Sequence, residues 1–264
     1  MPTLISKDGT TIGFEAMGSG PVIILVAGAT QYRGIDENTP KLMAGLAHQF
    51  TVVNFDRRGR GESTDTLPYA VAREIEDIEA LIDAFGGRAG LYGMSSGAVL
   101  ALEAGVALPD KVTSVLLYEP PVDVAQTTED LWMQHPEMAA LAENGDAEGM
   151  MSLFMGAFMS PEELEGFRQS PAWPAFAAVG GTIEHDYRVM AEARDGDSQP
   201  ARWKKISVPV LVVNGDSSFD FIDAGAAWLA AGVPGARRHI LAGQGHDVSA
   251  EALAPVMLEF FGAN

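Results

Sequence analysis

A five-residue run, Gly93-Met94-Ser95-Ser96-Gly97, constrains this chain more than any other stretch. The apolar run Ala89-Gly90-Leu91-Tyr92 leads into it, and a helical pattern from Ala98 to Ala107 follows. G-x-S-x-G between a strand and a helix describes a tight turn whose small flanking residues let strand and helix pass close to a strained serine. Such a turn lifts the Ser95 hydroxyl into a cleft at the end of its strand, where a nucleophile can meet a substrate. It also demands that a helix follow the strand at once, which is the unit of a layered α/β fold.

The rest of the chain keeps that rhythm. Strands are expected at Thr11–Met17, Val22–Val26, Thr51–Phe55 and Val112–Tyr118. The short continuous apolar runs among them suit strands buried on both faces. Helical patterns fall around Pro40–His48 and over Val71–Phe85, where Ile75, Ile78, Leu81, Ile82 and Phe85 recur at helical spacing before the stop Gly86-Gly87. The rhythm breaks after Pro120-Pro121 and resumes with a strand at Val208–Asn214, a helix near Asp223–Ala231, a strand at Arg237–Leu241 and a helix near Ala250–Phe261. The expected architecture is a mostly parallel, doubly wound sheet built from 1–121 and 203–264, with a helical cap inserted at 122–202.

That insertion is rich in adaptable apolar side chains: Met150, Met151, Phe154, Met155, Phe158 and Met159, with Trp132, Met133, Met138, Trp173 and Phe176 adding bulk. At helical spacing each suits plain packing. Over a cleft, the set would form a deformable apolar lid, and Trp173, Met155, Phe158 and Met159 are the candidate pocket residues.

Charge and composition narrow the partners. With 17 Lys+Arg against 36 Asp+Glu the net charge is −19, a field that repels nucleic acid and anionic membranes. No cysteine is present, so disulfides and thiolate chemistry are excluded. The first residues show no basic-then-apolar leader, and no apolar run reaches the roughly 18 residues of a membrane span, so a cytoplasmic protein is expected. There is no P-loop, no H-E-x-x-H and no paired-histidine spacing, and Gly59-Arg60-Gly61 lacks the third glycine of a dinucleotide site. No cofactor and no metal are expected.

A serine hydroxyl needs a base to take its proton and a third group to hold that base. His48, His135 and His185 fall in expected helices and His239 in a strand. His246 stands apart in Gly243-Gln244-Gly245-His246-Asp247, a loop after the last strand, where ligands meet such sheets. Two sources of the acid stay open. One is the group Asp216, Asp220 and Asp223 after Val208–Asn214. The other is Glu119, which ends Val112–Tyr118 ahead of two prolines and tops the strand beside that of Ser95. An oxyanion hole needs two backbone N–H groups. Ser96, directly after the nucleophile, is one candidate. Ala29, with Gly28 close behind, is the other, from the loop after Val22–Val26.

Together these features resemble the α/β-hydrolase superfamily over essentially the whole chain. Asp56-Arg57-Arg58-Gly59-Arg60-Gly61-Glu62-Ser63 is similar to its D-x-R-G-x-G-x-S structural turn, Gly93–Gly97 to its nucleophile elbow, and Gly245-His246-Asp247 to its histidine loop. Two departures stand out. Ala27-Gly28 replaces the frequent His-Gly, and Ser218 falls at the usual acid position. Tyr118-Glu119-Pro120-Pro121 resembles the zearalenone-lactonase branch, whose acid is a glutamate after the sixth strand, and Trp173 is similar to that branch's cap tryptophan. The resemblance implies a cofactor-free serine hydrolase of an apolar ester or lactone, a macrocyclic lactone such as zearalenone included, acting through Ser95, His246 and Glu119. The superfamily also holds perhydrolases and C–C hydrolases, and a hydrolase-like receptor for a small ligand is a further reading. The subunit number stays open, a homodimer included.

Overall fold

The computed structural model describes residues 2–126, 136–196 and 198–264. Trp132, Met133 and His135, singled out in the sequence, lie outside the described residues.

The chain runs β1 (Thr3–Ile5), β2 (Thr11–Gly18), β3 (Val22–Val26), α1 (Thr39–Leu46), β4 (Thr51–Phe55), α2 (Val71–Ala84), β5 (Ala89–Met94), α3 (Ser96–Ala107) and β6 (Val112–Tyr118). After a helical stretch come β7 (Val210–Gly215), α9 (Asp220–Gly232), β8 (Arg237–Leu241) and α10 (Ala250–Gly262). The eight strands form one sheet in the order β1-β2-β4-β3-β5-β6-β7-β8. β1, β2 and β4 pair antiparallel; every neighbour from β4 through β3 to β8 is parallel.

Alternation along the central strands explains why both faces are covered. In β3, Ile24 and Val26 pack with α2, α3 and α9, while Ile23 and Leu25 pack with α1 and α10. A strand buried on both sides reads as a continuous apolar run, as Val22–Val26 does. α3 sits at the centre of the first layer, and every residue from Ser96 to Gly105 is buried. It carries no polar face because it has no solvent to meet.

Between β6 and β7 the described residues form helices joined by turns: α4 (Pro136–Glu143), α5 (Ala147–Met155), α6 (Pro161–Arg168), α7 (Trp173–Ala177) and α8 (Ile183–Ala191), with short 3-10 turns at Gly180–Thr182 and Ala201–Lys205 and an isolated Asp195–Ser198 bridge. Met138, Met150, Met151, Trp173, Val179, Ile183 and Tyr187 form an apolar cluster of their own there. α6 is fixed at its start by a capping box: Ser160 accepts the Glu163 N–H while Glu163 accepts the Ser160 N–H.

Two local readings change. β1, a three-residue antiparallel edge, has no readable alternation in sequence and is set by pairing with β2. His48 is not helical, because α1 stops at Leu46 and His48 lies in the turn beyond it.

The turn glycines show why the elbow sequence is obligatory. A Cβ on Gly97 would stand 2.3 Å from the Val26 carbonyl oxygen, and one on Gly93 would stand 2.3 Å from that of Gly97. Both obstacles are backbone, so neither can yield cheaply. Gly97→Ala is expected to destabilise the protein by about 3 kcal/mol. Gly166→Ala, in exposed α6 with open space at its Cβ, should gain about 0.5 kcal/mol. Urea unfolding of the two variants checks both signs.

Candidate active site

Ser95 sits between β5 and α3 with φ 55° and ψ −126°. An L-residue rarely adopts such a conformation, and the strain persists only where the surroundings over-determine it. Here they do. The Ser95 N–H donates to the Tyr118 carbonyl at 2.9 Å, one rung beyond the β5–β6 ladder, and the Ala98 N–H donates back to the Ser95 carbonyl at 2.9 Å. Only two other described non-glycine residues have positive φ: Thr30 at 64° and Glu119 at 46°. All three lie just past carboxyl ends of strands, where a doubly wound sheet places its ligands.

Glu119 follows β6 and is fully buried. Its N–H donates to the Val213 carbonyl at 2.9 Å, and its strained backbone turns the side chain towards the neighbouring loops. Oε2 lies 2.8 Å from His246 Nδ1 and accepts the Ser218 hydroxyl at 2.6 Å, while Oε1 accepts the Gly215 N–H at 2.9 Å. Burial works to raise this carboxyl, but the His246, Ser218 and Gly215 hydrogen bonds outweigh it and hold Glu119 below the usual carboxylate range. Ser218, standing where the superfamily's acid usually falls, is therefore a donor to Glu119. Asp216 is turned elsewhere, accepting the Gly243 N–H at 2.7 Å and the Ser217 hydroxyl at 3.0 Å. Asp223 pairs with Arg238. Of the carboxylates considered in the sequence, Glu119 is the one that touches His246.

The His246 loop is braced from below: the Tyr118 hydroxyl donates to the Gly245 carbonyl at 2.6 Å, and the Ser217 N–H to the Gln244 carbonyl at 2.9 Å. With Nδ1 on Glu119, Nε2 is the ring nitrogen left for a reacting group. His246 and Ser95 line the same cavity, of about 1060 Å³. No hydrogen bond closes between them among the described residues; catalytic hydrogen bonds are often long in empty sites and tighten in the substrate complex.

Two N–H groups without an acceptor among the described residues border Ser95. That of Ser96 opens α3, where a helix supplies no internal acceptor. That of Ala29 meets no acceptor among the described residues, whereas the Gly28 N–H already donates to Gln31 Oε1 at 2.8 Å. Gly28 is still indispensable, because a Cβ there would meet the Ser95 Cβ at 2.9 Å.

Met155 and Phe158 line the cavity, as do Phe154, Phe176, Phe219 and Met190. Phe158 contacts Phe219 with ring centroids 5.7 Å apart, and Phe219 contacts His246 at 5.8 Å, so an aromatic row runs from the helical segment to the histidine. Trp173 and Met159 do not line it. Trp173 is absorbed into the apolar cluster of the helical segment, its indole N–H donating to Glu148 at 3.0 Å. Met159 lies beyond the end of α5, on the turn that returns the chain to α6.

Behind the elbow lies a charged knot that the sequence did not disclose. Arg57 is bidentate with Glu74 at 2.7 Å for both bonds and reaches Asp186 at 2.6 Å. Arg60 bonds the other Asp186 oxygen at 2.5 Å, and the Ser96 hydroxyl donates to Asp186 at 2.7 Å. Burial opposes charge on Glu74 and Asp186, yet the two arginines and neighbouring hydroxyls hold both below the usual carboxylate range. Among the described residues, no cluster of His, Asp and Glu is placed to hold a metal ion, and no helix is long and apolar enough to cross a membrane.

An eight-stranded doubly wound sheet with a strained serine at the end of its fifth strand defines an α/β protein of the hydrolase type. The model of the Alpha/beta hydrolase family matches residues 23–256, and the chain belongs to that family. An alpha/beta hydrolase from Sphaerobacter thermophilus DSM 20745 is 41% identical, with 98% of this chain and 100% of that one covered and a TM-score of 0.83. The pimeloyl-[acyl-carrier protein] methyl ester esterase of Nitrosomonas europaea is 24% identical over 250 residues, 89% of this chain and 92% of that protein. An uncharacterized hydrolase of Bacillus subtilis (strain 168), YraK, is 32% identical over 116 residues, so that this chain spans 42% of its length.

The depressed carboxylates make acid stability predictable. Glu74, Asp186 and Glu119 lie below their unfolded values of about 4, so they favour the unfolded state when protons are plentiful. Their stabilisation is complete above about pH 5 and is lost as pH falls through the lower folded values. Thermal unfolding should show a Tm independent of these groups from neutral pH to about pH 5 and falling below it. Asp186→Asn should start about 3 kcal/mol less stable and fall less steeply in acid.

Proposed function

We propose that this protein hydrolyses a carboxylic ester or lactone of an apolar substrate through a Ser95–His246–Glu119 triad and an acyl-enzyme. The observation that carries the reading is the His246–Glu119 contact on the same cavity as the strained Ser95.

In this mechanism Ser95 Oγ attacks the carbonyl carbon as His246 Nε2 takes its proton. The Nδ1–H of His246 donates to Glu119, which keeps the ring in the required tautomer and stabilises the imidazolium. The carbonyl oxygen becomes an oxyanion held by the N–H groups of Ser96 and Ala29, each donor being worth on the order of 3 kcal/mol. The tetrahedral adduct collapses, His246 passes its proton to the departing alkoxide, and the acyl group stays on Ser95. Water, deprotonated by His246, then releases the acid and restores the serine. A lactone follows the same steps, with the alcohol still tethered to the acyl group.

Within the 122–202 insertion, the helices α4 to α8 serve as the lid. Phe154, Met155, Phe158, Phe176 and Met190 give its inner face an apolar, adaptable surface, which suits a bulky apolar acyl or lactone group. The placement of the acid after β6 supports the lactonase-like branch over hydrolases whose acid follows β7, and the full-length likeness to a methyl ester esterase supports ester chemistry in general.

A panel of aryl esters, alkyl esters and lactones tests this. Ser95→Ala is expected to lose at least about 10³-fold in kcat/KM, and a fluorophosphonate should label Ser95 in the unaltered protein. Turnover persisting at the unaltered level in Ser95→Ala would sink the reading. For the acid, Glu119→Gln should cost about 10³-fold while Asp216→Asn stays within about threefold. A crippling Asp216→Asn with an active Glu119→Gln would move the acid to the β7 loop.

A further inference from the structure

Arg60 is buried, and all three nitrogens of its guanidinium fork donate to partners. Nε donates to Thr182 Oγ1 at 3.0 Å and Nη2 to Asp186 Oδ2 at 2.5 Å, both on the 122–202 segment. Nη1 donates to the Gly28 carbonyl at 2.5 Å and, more weakly, to that of Gln31 at 3.2 Å. The Gly28 contact bears on chemistry because of the peptide to which it belongs. A trans peptide is planar, and its C=O and N–H point in opposite directions. Fixing the Gly28 carbonyl therefore fixes the Ala29 N–H on the opposite side, towards the cavity that Ala29 and Ser95 both line. The Gly28 N–H is held separately by Gln31 Oε1, and Thr30 leaves the turn with φ 64°. The Arg60 bond thus sets the Gly28–Ala29 peptide plane, and the Gln31 bond holds the peptide before it.

The other oxyanion donor is tied to the same carboxylate. Ser96 Oγ donates to Asp186 Oδ1, which also receives Arg57 Nη1, and Arg57 reaches the Ala27 carbonyl at 3.3 Å. One buried carboxylate on α8 thereby bears on both N–H groups beside Ser95.

We infer that Arg60, clamped by Asp186 and Thr182 of the helical segment, is a positioning residue that presents the Ala29 N–H to the oxyanion. The inference rests on the serine-hydrolase reading. Arg60 touches neither substrate nor reacting atoms. It sets the direction of a backbone donor and makes that direction depend on how the helical segment is seated.

The test compares a p-nitrophenyl ester with its thiono analogue. Sulfur is a weak hydrogen-bond acceptor, so the thiono substrate gains little from the oxyanion hole and reports on everything else. The unaltered protein should prefer the oxo ester strongly. Arg60→Met should lower kcat on the oxo ester by about 30-fold with KM within about threefold, while the thiono rate falls far less, shrinking the oxo/thiono preference about tenfold. Arg60→Lys keeps one charge but cannot serve Asp186, Thr182 and Gly28 together, and should give an intermediate preference. It also carries the comparison if Arg60→Met does not fold. An oxo/thiono preference unchanged in the folded variant would leave Arg60 a purely structural residue and overturn the inference. Failure of the fluorophosphonate to label Ser95 in the unaltered protein would overturn the hydrolase reading, and this assignment with it.

Discussion

The face that carries Ser95 and Glu119 depends on one extra rung in each of two parallel ladders. Just past the end of β5 the Ser95 N–H bonds the Tyr118 carbonyl, and just past the end of β6 the Glu119 N–H bonds the Val213 carbonyl. Those two bonds hold residues whose backbones sit at φ 55° and 46°, conformations that each cost of order 1–3 kcal/mol when nothing holds them. Because adjacent strands are hydrogen-bonded in register, the strained serine and the strained glutamate are fixed relative to each other. The sheet is thus the part that sets the geometry, and the loops above it inherit their positions.

The buried ions behind the elbow are a second constraint of a different kind. Isolated ions in such surroundings would cost several kcal/mol each, and pairing repays this only where the geometry is good. Arg57, Arg60, Glu74 and Asp186 meet that condition with bonds of 2.5–2.7 Å. An apolar cluster of the same volume would hold the elements together as well or better. What the ions add is direction, because a guanidinium fork bonds named carbonyls and a methyl group does not. The knot joins the turn after β4, α2, α3 and α8, so the helical segment is bonded to the floor of the site as well as resting over it.

How much of this was legible from residues alone varies by element. Runs such as Val22–Val26, Thr51–Phe55 and Val112–Tyr118 carried their strands to the residue, because a strand buried on both faces has no competing pattern. Ser95 was marked by the G-x-S-x-G turn and Glu119 by its place after Val112–Tyr118, while the contact of Glu119 rather than Asp216 with His246 was not legible, because both strand ends offered a carboxylate. Trp173 was misplaced from the cavity because an aromatic on a helix reads the same whether it faces a ligand or its own cluster. The charged knot was hidden for a related reason. Arg57 and Arg60 read as part of a structural turn, and Asp186 lies 126 residues from Arg60 in a helix with an ordinary polar sequence. Nothing local marks a residue whose partner is supplied by another layer of the fold.

The position of Glu119 shows how a change of strand must be compensated. A carboxylate arriving from β6 starts one strand spacing, about 4.8 Å, from where a β7 acid would start. A glutamate is one methylene longer than an aspartate, and the positive φ at Glu119 swings it across. The β7 loop must then bring no second carboxylate to His246, since two carboxylates at one histidine would drive one of them neutral, and its Asp216 is turned away to the Gly243 N–H. Ser218 meets that requirement twice over. It carries no charge, and its hydroxyl donates to Glu119 at 2.6 Å, beside the Gly215 N–H. The loop after β7 thus supplies hydrogen bonds that keep the carboxylate of the neighbouring strand ionised.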